Sequence, residues 1–124
     1  SVFYDVMPTL AEVAGKPLES ATDGTSFYPT LIGHSQPQPE FLYWEFPSYG
    51  GQIAIRMGDW KALKLNVQKG GATWLLFDLK SDPLEMHDVA KENPEIIKKV
   101  EEIVAREHTT SPNERWRFEE LDGV

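Results

Sequence analysis

Residues 42–65 read LYWEFPSYGGQIAIRMGDWKALKL, and the reading of this stretch decides the fold. It is apolar and aromatic except at two breaks, residues 47–51 and the pair Gly58-Asp59. Aromatic and β-branched side chains suit a pleated, half-buried surface. The stretch therefore predicts three short strands, Leu42–Phe46, Gln52–Met57 and Trp60–Leu65, joined in sequence. Gly58-Asp59 between two such runs is a two-residue hairpin signal, because glycine supplies the positive φ that matches the twist of the strands. A meander of this kind is a scaffold with no catalytic engine of its own.

Working outward, Gln68-Lys69-Gly70-Gly71 is a polar break, and residues 73–79 form a fourth predicted strand. Ser81-Asp82-Pro83-Leu84-Glu85 has the signature of a helix start, with Asp82 as cap, Pro83 in the first turn and Glu85 reaching back. A short helix ending near Ala90 is expected. Asn93-Pro94 opens a longer one whose apolar stripe is Ile96, Ile97, Val100, Ile103 and Val104, with Lys98, Lys99, Glu101 and Glu102 on the wet side. Beyond His108 the chain is expected to wrap the surface. The predicted class is α+β, a four-stranded antiparallel sheet packed against a long C-terminal helix.

Towards the N-terminus, Val6, Met7, Leu10, Val13 and Ala14 recur at helical spacing, with Asp5 placed to cap the start and Gly15 to end the helix. Residues 16–40 hold Pro17, Pro29, Pro37 and Pro39 and read as irregular chain, with a helical turn predicted over residues 27–32. A helix followed by so long a loop is uncommon inside a self-sufficient small domain. Residues 1–40 are expected to be an arm of a neighbouring domain, and residues 41–124 a domain of their own.

Composition excludes several functions. The net charge of −8 argues against nucleic acid or an anionic membrane, since both need a basic face. Residues 82–124 hold 12 acidic and 6 basic side chains, so the acid concentrates in the helical end and reads as a solvated face. With no cysteine, a thiolate zinc site or a cysteine nucleophile is out of reach. No apolar run approaches the roughly 20 residues of a membrane helix, so no membrane insertion is expected.

Candidate chemistry is sparse. His34, His87 and His108 fall in different elements at no ligand spacing. Asp78, Asp82, Glu85 and Asp88 lie close in sequence, but their spacing is not that of a calcium loop, and capping already explains two of them. No G-x-S-x-G elbow occurs. The pairs Gly50-Gly51 and Gly70-Gly71 precede no helix and are turn glycines. Aromatics gather in the sheet region at Tyr43, Trp44, Phe46, Tyr49, Trp60 and Trp74. Core packing explains most of them, and Tyr49, being in a loop, is the best candidate for stacking on a sugar. Glu45 and Arg56 are charges inside apolar strands, suited either to solvent or a cross-strand pair, or to a substrate held by another domain.

Taken together, the segments resemble the C-terminal part of a formylglycine-dependent sulfatase of the alkaline-phosphatase-like superfamily. Asp5-Val6-Met7-Pro8-Thr9-Leu10 with Ala14-Gly15 is similar to that family's D-x-x-P-T-L helix. Asp23-Gly24-Thr25-Ser26 with Pro29, Leu31 and Gly33 is similar to its D-G-x-S loop. Tyr43-Trp44-Glu45-Phe46, Ala54-Ile55-Arg56-Met57-Gly58-Asp59-Trp60-Lys61, Leu76-Phe77-Asp78-Leu79 and Asp82-Pro83 with Glu85 resemble later blocks in the same order.

The resemblance implies a two-domain hydrolase of aryl or carbohydrate sulfate esters. A formylglycine from a C/S-x-P-x-R motif would be its nucleophile, beside a calcium ion that stabilises developing charge. It also implies a periplasmic, secreted or lysosomal-type compartment. This chain has proline at the arginine position of Ser35-Gln36-Pro37-Gln38-Pro39 and glutamate at that of Ser81-Asp82-Pro83-Leu84-Glu85. No catalytic or metal residue is therefore expected here. The implied partners are an N-terminal catalytic domain of the same parent chain and a sulfated small molecule or saccharide. By position, Glu45, Tyr49, Gln52 and Arg56 are the candidates for shaping the substrate cleft. The alternative from another class is a stand-alone carbohydrate-binding or interaction module.

Overall fold

The computed structural model describes residues 1–123. The chain forms two compact units, Ser1–Gln38 and the residues from Pro39 onward.

In the first unit, α1 spans Val6–Val13 and α2 spans Tyr28–Leu31. Gly15, at φ +65°, ends α1 as expected: its N–H donates to the Glu12 carbonyl, and the Lys16 N–H to that of Ala11. Asp5 occupies the cap position, but its carboxylate does not cap α1. One oxygen accepts the Val2 N–H and the other the Thr25 N–H, both at 2.9 Å. The Thr9 hydroxyl accepts the Phe27 N–H at 3.0 Å and donates to the Asp5 carbonyl at 2.7 Å. Two buried polar side chains thus pin the irregular segment to α1, so it needs no apolar period of its own. The outer face of α1 leaves Met7, Leu10 and Val13 exposed.

In the second unit, β1 (Leu42–Phe46), β2 (Gln52–Met57), β3 (Trp60–Leu65) and β4 (Trp74–Asp78) pair antiparallel in the order 1-2-3-4. Gly58 turns the β2–β3 hairpin at φ +56°, with no positive φ at Asp59. The cross-strand row Tyr43, Ile55, Ala62 and Leu76 lies on one face, and the row Trp44, Ala54, Leu63 and Leu75 on the other. Against the first face packs α3, Pro94–Glu107, through Val100, Ile103 and Val104. Of the stripe read from sequence these three are buried, and Ile96 and Ile97 are half-buried against the same core. Asn93 stands before α3, but its amide donates back to the Val89 carbonyl at 2.9 Å instead of capping.

The helix expected after Asp82 is absent, and residues 79–93 run as turns and irregular chain. Local side-chain bonds win over the helix here. The Asp82 carboxylate accepts the His87 N–H at 2.8 Å, and Glu85 sits at φ +56° with its carboxylate 2.6 Å from the Lys61 ammonium. Asp88 accepts the Leu76 N–H at 3.0 Å while the Val89 N–H donates to the Leu76 carbonyl at 2.9 Å. The loop therefore covers the free edge of β4, which would otherwise invite another strand.

Two core residues lie beside the expected polar break and within the expected surface wrap. Val67 opens the 3-10 turn Val67–Lys69, and Phe118 precedes α4, Glu119–Asp122; both are fully buried in the core with Ile53 and Leu76. Phe118→Ala is expected to cost about 3–5 kcal/mol of stability, the usual range for emptying a phenylalanine site. Urea unfolding checks this, and a loss under 1 kcal/mol would show that the tail is not part of the core.

Candidate functional site

The loop between β1 and β2 is tightly constrained. Tyr49, Gly50 and Gly51 follow one another at φ +54°, +84° and +80°. For a tyrosine this backbone is strained, and strain of this kind is held only where surrounding bonds over-determine it. Those bonds are present. The Val67 N–H donates to the Gly51 carbonyl at 3.1 Å, and the Gln68 N–H to the Gly50 carbonyl at 2.9 Å. The Gln68 side-chain amide donates to the Pro47 carbonyl at 2.8 Å and to the Arg115 carbonyl at 3.2 Å. A Cβ at Gly51 would stand 2.8 Å from the Phe118 ring, so the tail presses directly on the loop. The result is a Tyr49 ring that is 84% exposed on a braced backbone, 6.2 Å from the Phe46 ring.

The register separates the four candidate residues. Gln52, opposite Phe46 and Leu65, and Arg56, opposite Leu42 and Lys61, lie on the face away from α3. Arg56 is exposed, with its Nε 3.5 Å from the Gly58 carbonyl. Glu45, opposite Ile53, lies on the α3 face. Its carboxylate meets the Tyr43 hydroxyl and stands 2.6 Å from His108 Nδ1. His108 Nε2 is 2.9 Å from Asp122 Oδ1, and the His108 ring stacks on Phe118. Sequence separation hid this cluster: His108 and Asp122 have no local spacing to Glu45.

The cluster is strongly polarised. Burial, then the hydrogen bond and charge of Glu45, push the Tyr43 hydroxyl far above its ordinary value. Burial works against ionisation of Asp122, but hydrogen bonds from Thr110, His108 and the Phe118 N–H outweigh it and hold the carboxyl at about 2.

The same face as Gln52 and Arg56 also carries Lys61 and is apolar elsewhere, with Leu42, Trp44, Phe46, Ala54, Leu63, Leu65 and Leu75 in cross-strand rows. Trp44, Phe46 and Leu65 are exposed on it. Exposed apolar side chains gathered on one sheet face suit an interaction surface. No helix among the described residues is long and apolar enough to cross a membrane.

The carboxylates do not fit a calcium ion. Asp78 is engaged by the Lys80 N–H and the Ser81 hydroxyl, Asp82 by the His87 N–H, Glu85 by Lys61, and Asp88 by two backbone N–H groups. Among the described residues no group of three or more His, Asp or Glu could hold a metal. A groove of about 530 Å³ lined by Lys64, Trp74, Ile97, Lys98 and Glu101 includes none of the four candidates.

Comparison with known proteins fixes the family. Residues 2–110 match the model described as N-sulphoglucosamine sulphohydrolase, C-terminal. The choline-sulfatase of Rhizobium meliloti (strain 1021) is 40% identical over 94 residues, covering 73% of this chain and 17% of that protein. Human arylsulfatase A is 28% identical over 126 residues, covering 80% of this chain and 25% of that protein. The crystal structure of Ps i-CgsB superposes with a TM-score of 0.61 at 36% identity, covering 80% of this chain and 23% of that one. The chain thus spans a quarter or less of the length of these relatives. It belongs to the N-sulphoglucosamine sulphohydrolase C-terminal family.

Proposed function

We propose that this chain is the part of a sulfuric ester hydrolase that completes the catalytic domain's packing and forms one wall of its substrate cleft. The match along residues 2–110 to a sulfatase C-terminal family carries the reading. Relatives named choline-sulfatase and arylsulfatase support a sulfate ester of a small molecule or saccharide as substrate. The formylglycine nucleophile and the calcium implied by the resemblance are assigned by that resemblance to the catalytic domain of the parent; among the described residues the carboxylates around Asp82 are engaged by N–H, hydroxyl and ammonium groups.

Two features support the division of labour. The apolar row of Trp44, Ala54, Leu63 and Leu75, with Phe46 and Leu65 beside it, is a sheet face suited to burial against the catalytic domain. Each Å² so buried stabilises by about 25 cal/mol. Residues 1–40 are the trailing helix and loop of that domain, which fits an α1 whose Met7, Leu10 and Val13 stand exposed. Residues 41–124 form the C-terminal subdomain. Tyr49, Gln52 and Arg56 face the substrate, and Glu45 serves the same wall from behind by fixing the tail that braces the loop.

The parent protein is expected to hydrolyse an aryl or saccharide sulfate, and the isolated chain to hydrolyse none, with or without calcium. Turnover by the isolated chain above a heat-killed sample would overturn this. In the parent, Tyr49→Ala is expected to lower kcat/KM about tenfold, equivalent to about 1.4 kcal/mol of transition-state stabilisation, with little change in unfolding temperature. An unchanged kcat/KM across several sulfate esters would remove Tyr49 from the cleft. The rival binding-module reading, favoured only by the exposure of Tyr49, predicts that sulfated oligosaccharides change the tryptophan fluorescence of the isolated chain.

A further inference from the structure

We propose that His108, clamped between Glu45 and Asp122, is a proton-operated latch that fastens the C-terminal segment behind the Tyr49 loop. The geometry points to it directly. Nδ1 lies 2.6 Å from a Glu45 oxygen and Nε2 lies 2.9 Å from an Asp122 oxygen, so both ring nitrogens face acceptors. A neutral imidazole has one N–H and can serve only one of them; the other nitrogen would then face a carboxylate lone pair to lone pair. Only the doubly protonated ring satisfies both.

The surroundings offer no substitute. From β1 the ring meets Glu45 and, beyond it, the Tyr43 hydroxyl, which also feels the charge of Glu107 from α3; α4 presents Asp122, to which Thr110 also hydrogen-bonds. The nearby cations are engaged elsewhere: Arg106 binds Glu107 and lies over the Phe41 ring, Lys64 pairs with Glu120, and Arg117 donates to the Ser111 carbonyl. Among the described residues His108 is the one cation paired with Glu45 or Asp122.

The latch holds more than its own atoms. Asp122 also accepts the Phe118 N–H at 2.7 Å, and Phe118 is the ring that presses on Gly51. Releasing Asp122 therefore loosens Phe118 and with it the brace under Tyr49. Burial disfavours the charged ring, but the hydrogen bonds and charges of Glu45 and Asp122 outweigh it and raise His108 above its ordinary 6.5. A histidine raised on folding stabilises fully below its unfolded value, and that contribution fades as pH climbs through the folded one. Asp122, held at about 2, loses its share only as pH falls below the ordinary 3.8. The latch is thus closed below the ordinary value of histidine and opens as pH climbs through the raised value of His108.

Hydrogen exchange read by mass spectrometry, corrected for intrinsic rates, tests this on the full protein carrying this chain. Peptides covering residues 47–52 and 109–122 are expected to lose protection about tenfold between pH 6 and pH 9. In His108→Gln they are expected to be weakly protected at both pH values while the sheet stays protected. Protection that does not change with pH, or the same change persisting in His108→Gln, would overturn the latch. If His108→Gln loses protection throughout, Glu45→Gln decides: the transition must move to lower pH, and an unmoved transition contradicts the proposal.

Discussion

Everything in the second unit follows from the strand register, which sorts the residues of four short strands onto two chemically different faces. One face places Ile53, Ile55, Ala62 and Leu76 beneath Val100, Ile103 and Val104 of the long helix. The other gathers Trp44, Phe46, Ala54, Leu63, Leu65 and Leu75, with Gln52 and Arg56 at its margins. Because side chains alternate strictly along a strand, a slip of one residue would exchange the two faces. The hairpin turn at Gly58, whose backbone is left-handed, pins that register between β2 and β3.

The loop carrying Tyr49 is specified less by its own residues than by what stands behind it. Its three successive left-handed residues are held by Gln68 and by the Phe118 ring, the one from a 3-10 turn and the other from the tail. The tail in turn is anchored through Asp122 to His108, and through His108 to Glu45 on β1. A charge inside an apolar strand, which on sequence alone could face a substrate directly, thus reaches the loop through three intermediates.

Much of this was legible in the residues. The four strands, the hairpin, the α3 stripe and the ending of α1 at Gly15 all rest on local periodicity or on the conformational needs of one glycine, which a sequence displays directly. The failures have a common cause. The segment after Asp82 has the punctuation of a helix start, yet Asp82, Glu85 and Asp88 find better partners in His87, Lys61 and Leu76, the last two of them brought near only by folding. Val67 and Phe118 are single apolar residues among polar neighbours, so no period announces their burial. The His108 cluster joins positions 45, 108 and 122, and nothing short of the fold reveals such a convergence.

The apolar sheet face can be probed in the intact parent by hydroxyl-radical footprinting of Trp44, Phe46 and Leu65, with Tyr49 as the internal comparison. If the catalytic domain packs there, these three side chains should be protected in the parent and strongly labelled in the isolated chain, while Tyr49 stays reactive in both. Equal labelling of Trp44, Phe46 and Leu65 in parent and isolated chain would contradict the assignment of that face.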